Sequence, residues 1–431
     1  MARLAGFAPD CTILFDGEPV PARTGEPVAA ALLAAGKVLV SRSAKYHRPR
    51  GAFCLAGACG TCLVRAGGLP SQRACRTPCR DGLAVETQNA IPDARHDLLG
   101  VIDPLTPRGL DHHHLATWSA LANRAAVSVA RRLAGLGRLP DPGAAAARAE
   151  GPIREEPWDA LVVGAGPAGL AAAEALAEAG RKVLVAEREP LAGGRLRCRL
   201  EPAGAPDLAW AARVAERVRA AGGEIATATA VLGLWHDGGA PLAGLETEGS
   251  PPRLRLVRAA RVAICTGGTP QPLAIPGGDR PGVFGARGLA IALAEHGVVP
   301  GAHALVVPDG GEARSLGAAL ERAGMKVDVG VDVEGGRIVG RGRVRGVRLA
   351  YGVLACDTVA VAALAPSPEL GRALGAEVRW DGELRAFALA ADRSGRTAVP
   401  GLFAAGEVTG RCGSGELAAE AGRRAGEAAR G

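Results

Sequence analysis

Aromatic residues make up only 3% of this 431-residue chain, so any core must rest on Ala, Val and Leu. Lysine is also scarce. It stands only at Lys37, Lys45, Lys182 and Lys326, and the formal charge of +7 comes from arginine. These arginines are dispersed and have no aromatics interleaved among them. That argues against a nucleic-acid surface, where bases stack on rings beside basic groups. No run is long and apolar enough to span a bilayer. The N-terminus, MARLAGFAPDCTILFDG, has no continuous apolar core, so no secretory signal and a cytoplasmic location are expected. No Cys-His or Ser-His-Asp constellation suggests a nucleophilic hydrolase. What the chain does have is length for roughly two or three domains and ten cysteines. Without an export signal, cysteines point to metal or redox chemistry rather than to a disulfide framework.

The first hundred residues read as an α+β domain. Thr12–Phe15 and Pro19–Ala22 form a hairpin around Asp16-Gly17. Thr24 is placed to cap a helix over Val28–Ala35, with Gly36 after it and a strand at Val38–Val40. Cys54, Cys59 and Cys62 then follow in C-x4-C-x2-C spacing, and Cys75 comes after a hairpin through Val64, Gly67-Gly68 and Leu69. Thiolates are the soft ligands of iron–sulfur clusters. Three on one loop and a fourth from a neighbouring hairpin can enclose a two-iron cluster. Gly57, Ala58 and Gly60 are small enough to let backbone N–H groups approach the sulfurs. Cys79 is the rival to Cys75 as fourth ligand, and zinc is the rival metal, although zinc favours paired C-x2–4-C knuckles. Asp111-His112-His113-His114 reads as a solvated stretch, because three adjacent His cannot face one point on a helix or strand. Leu115–Leu136 reads as a basic helical segment, and Gly135–Gly151 as a linker.

Asp159–Arg195 carries a dinucleotide fingerprint in context. The apolar strand Ala160–Val163 leads into Gly164-Ala165-Gly166-Pro167-Ala168-Gly169, a helix follows, and Val183–Ala186 makes a second strand that ends at Glu187. Gly164 permits the tight turn, Gly166 lets a pyrophosphate approach, and Gly169 lets helix and strand pack closely. Pro167 and Ala168 open the helix whose free N–H groups favour an anion. Glu187 is placed to accept from a ribose hydroxyl. Further on, Gly401–Val408 reads as a strand returning beside the first one, with Gly406 and Glu407 at its end. Glu407 is placed for the ribityl hydroxyls of FAD, and the helix Gly415–Ala429 for its pyrophosphate. Between these segments, Leu305–Val307, Pro308–Ala313 and Val327–Val331 repeat the strand–loop–helix–strand plan. Pro308 stands where the first turn glycine belongs. The reading is a degenerate nucleotide site; the alternative is an inserted αβ domain that never had one.

These segments, in this order, resemble the large subunit of heterotetrameric sarcosine oxidase and its relatives: hydrogen cyanide synthase, opine oxidase and dye-linked proline dehydrogenase. Ser43-Ala44-Lys45-Tyr46-His47-Arg48-Pro49-Arg50-Gly51 looks like the signature before the ferredoxin-like loop, and Ala134–Arg138 like the linker ahead of the fingerprint. The resemblance implies a Rossmann-like α/β flavoprotein with two dinucleotide-binding domains and an N-terminal β-grasp ferredoxin-like domain fused on. The expected domains are 1–100 (2Fe-2S), 101–157 (helical linker), 158–276 with 386–431 (FAD, or NAD in its place) and 277–385 (second nucleotide-type domain). Gly194 and Arg195 fall where such flavoproteins approach the flavin. Amine oxidation would take place on a separate FAD-bearing β subunit, and electrons would pass to an external acceptor. The chain keeps the cluster cysteines that sarcosine oxidase lacks, and ends at Gly431 without a folate domain, so folate chemistry is not expected. The rivals are a stand-alone NAD(P)H-dependent reductase with a fused ferredoxin, and a structural nucleotide-binding scaffold.

Overall fold

Asp16 and Gly17 adopt φ of 50° and 82°, the turn twist that suits the antiparallel strands Cys11–Phe15 and Glu18–Ala22. The computed structural model describes residues 2–101, 103, 119–133, 139–141, 143, 153–249, 252–411 and 413–430. Asp111–His114 and Ala134–Arg138 lie outside them, and of the expected basic helix Ala120–Leu133 is described. The hairpin enters a five-stranded sheet in the order Glu18–Ala22, Cys11–Phe15, Ala84–Glu86, Leu63–Ala66, Leu69–Arg73. The helix Val28–Ala34 buries Val28, Ala29, Ala31 and Leu32 in one core with Ile13, Phe15, Val20 and Val64. This is the β-grasp arrangement.

Two local expectations change. Thr24 does not cap the helix; its N–H and hydroxyl both bond Asp10. Pro27 takes the cap position, and Val28 and Ala29 donate to the carbonyls of Thr77 and Ala74. The cap is thus supplied by the backbone of the segment around Cys75. Val38–Val40 is not a strand; regular pairing begins at Ser41–Arg42, against Pro49–Arg50.

The chain divides into two compact units, each assembled from two separated stretches: Met1–Ala146 with Pro272–Ala362, and Ala147–Gln271 with Ala363–Gly431. In the first unit a four-stranded parallel sheet runs Val283–Gly285, Thr358–Val361, His303–Val307, Lys326–Val329. Its helix Ala286–His296 rests directly on the cysteine loop. Gly285 N–H donates to Phe53 O at 2.8 Å, and a Cβ on Gly288 would come within 2.1 Å of Cys54 O.

The second unit is built on a seven-stranded sheet. Glu224–Ala226, Val183–Ala186, Arg154–Val163 and Arg253–Ile264 are parallel neighbours, and an antiparallel meander, Pro241–Thr247 and Thr229–His236, extends one edge. The last segment departs from expectation. Only Leu402–Ala404 is strand, and it pairs with Arg253–Ile264 rather than with the fingerprint strand. The fingerprint strand has no free edge, since Val183–Ala186 and Arg253–Ile264 occupy both sides. Gly406, at φ 80°, turns the chain into a short 3-10 helix, Gly406–Thr409. Among the described residues no helix is long and apolar enough to cross a membrane.

Candidate functional site

The cysteine loop begins at a buried Cys54 and ends at a buried Cys62, with Cys59 exposed between them. Cys59 contacts Cys54, and Cys75 contacts both Cys54 and Cys62. The sulfurs thus form one chain of contacts, Cys59–Cys54–Cys75–Cys62. Backbone amides converge on them. Cys54 Sγ accepts from Ala56, Ala58 and Cys59 at 3.3–3.4 Å, and Cys75 Sγ accepts from Gly57 at 3.2 Å. Such donors stabilise thiolate over thiol. The bond from Cys75 holds the Cys62 thiol below its ordinary range, against the effect of burial. Cys79 lies instead beside Glu26 and Cys11, and none of these four backbone N–H bonds reaches its sulfur. Four thiolates in one contact chain suit a two-iron cluster, in which each iron takes two of them.

The signature loop before the cysteines is tied down by its own charges. Buried His47 bonds Asp97 through Nδ1 at 2.8 Å, Arg42 donates to His47 O, and Arg48 pairs with Asp103.

In the second unit the glycine loop has the geometry its spacing implies. Gly164 sits at φ 102°, and a Cβ there would meet Cys265 O at 2.5 Å. A Cβ on Gly169 would lie 1.8 Å from Gly164 O, so helix and strand pack as only glycine allows. Gly166 faces Gly194 with no side chain between them. The helix Pro167–Glu178 has Gly166 at its N-cap and no side-chain cap, which leaves first-turn N–H groups for an anion. Glu187 is 7% exposed, and its carboxylate accepts from Ala165 N–H at 2.7 Å and Glu189 N–H at 2.9 Å. Burial raises its pKa despite these donors. A cradle lined by backbone, with a carboxylate at its mouth, fits a dinucleotide.

Arg195 and Glu407, 212 residues apart, meet at 2.8 Å. Glu201 joins them: it accepts from Arg195 Nε at 2.6 Å and from Gly415 N–H at 2.9 Å. Sequence reasoning missed Glu201, which lies in no motif. Ser414 caps the last helix through Leu417 N–H. Two N–H groups of that helix expected to face a pyrophosphate are thus already bonded.

The second loop is different. Asp309 is gripped by Arg314 at 2.6 Å, which lowers its pKa, and Glu312 by Arg287 at 2.9 Å. The helix Gly311–Arg322 also lacks a side-chain cap, but arginine-paired carboxylates flank its first turn.

A β-grasp domain with clustered thiols, together with a Rossmann-like dinucleotide fold, defines the class of iron–sulfur flavoproteins. Residues 9–90 match the 2Fe-2S iron-sulfur cluster binding domain family, and residues 162–219 the NAD(P)-binding Rossmann-like domain family. The chain is homologous over most of its length to the sarcosine oxidase alpha subunits, and over a shorter stretch to opine oxidase relatives. It is 30% identical to the sarcosine oxidase alpha subunit of Rhizobium meliloti (strain 1021) over 94% of its own length and 45% of the relative's. To the opine oxidase A-type subunit of Agrobacterium tumefaciens (strain Ach5) it is 27% identical, over 61% of this chain and 64% of that one. Over 19% of its length the chain is 42% identical to the hydrogen cyanide synthase subunit HcnA of Pseudomonas aeruginosa, of which it covers 76%. The chain thus spans about half the length of the sarcosine oxidase subunit it matches. L-proline dehydrogenase from P. horikoshii shares the fold, with a TM-score of 0.74 at 20% identity over 98% of this chain and 73% of that one. These matches and the two sites support a 2Fe-2S cluster and FAD as cofactors.

Proposed function

We propose that this chain is the electron-transfer subunit of an amine or imino-acid dehydrogenase or oxidase complex, acting on sarcosine-, proline-, hydroxyproline- or opine-like substrates. The observation that carries the reading is one chain holding both a set of four clustered thiols and a dinucleotide cradle. Cys54, Cys59, Cys62 and Cys75 would hold the cluster. Gly164, Gly166, Pro167, Ala168, Gly169, Glu187, Gly194, Arg195, Gly406 and Glu407 would frame the flavin. A flavin with a one-electron cluster supplies the conversion of two-electron into one-electron transfer. The chain's own part is to fix both groups on rigid elements, neutralise the pyrophosphate with helix N–H groups and keep Glu187 at the ribose. The substrate pocket would lie on a FAD-bearing β subunit, since a flavin amine site needs aromatic walls that this chain is too poor in aromatics to build.

The test is dye reduction with sarcosine, proline, hydroxyproline or an opine. The purified chain should show flavin and cluster absorbance yet no turnover, and the cognate β subunit should restore it. Robust turnover by the chain alone would overturn the division of labour. Rapid flavin bleaching by NADH or NADPH would promote a stand-alone reductase instead.

A further inference from the structure

The cluster loop is gripped by a residue outside the cysteine motif. Arg73 ends the strand Leu69–Arg73, two residues before Cys75. Its Nη1 donates to Gly57 O at 2.6 Å, a charge-assisted bond. Gly57 sits at φ 71°, and a Cβ on it would meet Arg76 Cγ at 3.0 Å and Arg73 Nη1 at 3.6 Å. The peptide that Arg73 holds has the Gly57 carbonyl at one end and the Ala58 N–H at the other. Ala58 N–H donates to Cys54 Sγ at 3.3 Å. The neighbouring amide, Gly57 N–H, donates to Cys75 Sγ at 3.2 Å. Cation, carbonyl, amide and sulfur therefore form one relay through a planar unit.

We propose that Arg73 is a positioning residue that raises the reduction potential of the iron–sulfur cluster, by polarising the Gly57–Ala58 peptide and aiming the Gly57 and Ala58 amides at Cys75 and Cys54. The role rests on the ligand assignment above. A cation on a carbonyl draws density toward oxygen and makes the conjugated N–H a stronger donor, as in any polarised chain of hydrogen bonds. Reduction adds one negative charge to the cluster. Donors on its sulfurs and a cation beyond them favour the reduced form. Arg73 makes no bond to sulfur, so removing it changes the field and leaves the ligands in place. A glutamine keeps an N–H donor without the charge, and a lysine keeps the charge without the planar fork.

The test uses the full chain, purified anaerobically as wild type, Arg73→Lys, Arg73→Gln and Arg73→Ala. The spin signal of the reduced cluster is followed through a dithionite redox titration. Arg73→Ala should make reduction about tenfold less favourable, a potential about 59 mV more negative for a one-electron couple. Arg73→Gln should fall between alanine and wild type, and Arg73→Lys should stay nearest wild type. Should Arg73→Ala lose its cluster, the lysine and glutamine variants decide on the same order. An intact signal with the same potential in every variant overturns the role of Arg73 alone. No two-iron signal in the wild type, or its survival in Cys75→Ser, overturns the ligand assignment and the Arg73 role with it.

Discussion

Cys75 and Cys79 lie four residues apart and both are buried, yet their surroundings differ in kind. Cys75 accepts from Gly57 N–H and touches Cys54 and Cys62. Cys79 shares the apolar core with Cys75 but lies near Glu26. A negative charge there would lie beside a carboxylate. Cys75→Ser should therefore abolish the cluster's visible absorbance and spin signal, and Cys79→Ser should leave both; the reverse pattern would reassign the fourth ligand. Spacing named the first three thiols and left the fourth open. The choice depends on how the hairpin folds back, with Ala74 N–H donating to Cys62 O, and a count of intervening residues does not contain that.

Among the elements, the crossing of Pro167–Glu178 with Gly415–Ala428 is a close joint at the flavin cradle. A Cβ on Gly422 would come within 1.9 Å of Ala168 O, and one on Gly426 within 2.5 Å of Ala172 O. Gly422→Val should cost about 3 kcal/mol through overpacking. Because Ala168 opens the cradle helix, flavin content should fall together with melting temperature. Exposed Leu417 on the same helix is the control: Leu417→Ala should stay within about 0.5 kcal/mol. A second device holds the sheet. Arg255 is 4% exposed and bonds Glu156 at 3.1 Å through Nε and Glu224 at 2.6 Å through Nη1. Its hydrogen bond holds the Glu156 carboxyl below the usual range. A carboxylate lowered on folding contributes its full stability above the unfolded value, about 4.3. That contribution is lost as pH falls through the lowered folded value. Arg255→Met should thus destabilise by about 1 kcal/mol at neutral pH and flatten the acid limb of a melting-temperature profile below about pH 4. A parallel shift at every pH would argue against this pair as the source.

At the scale of the whole molecule, two sheets follow one plan, and their turns differ in charge. In the second, Asp309 and Glu312 with their arginines occupy the turn after His303–Val307. A dinucleotide would bring its pyrophosphate against two carboxylates. NADH and NADPH should therefore bleach the flavin slowly under anaerobic stopped flow. Bleaching complete within seconds of mixing would show that the second sheet binds nicotinamide dinucleotide after all.

The sequence by itself determined what depends on neighbours along the chain. The Asp16-Gly17 turn, the strand–glycine loop–helix unit ending at Glu187 and the first three cysteines are all of this kind, because turn geometry, helix periodicity and ligand spacing are local. Tertiary structure alone decided what depends on distant partners. It seated the Val28 helix on the carbonyls of Thr77 and Ala74 instead of a Thr24 cap. It sent Leu402–Ala404 to Arg253–Ile264 because the fingerprint strand had no edge left. It also brought Arg195, Glu201 and Glu407 together, and Arg73 onto Gly57. One arginine among so many carries no mark in the sequence; its partner is chosen by where the packed backbone leaves a carbonyl or carboxylate unpaired.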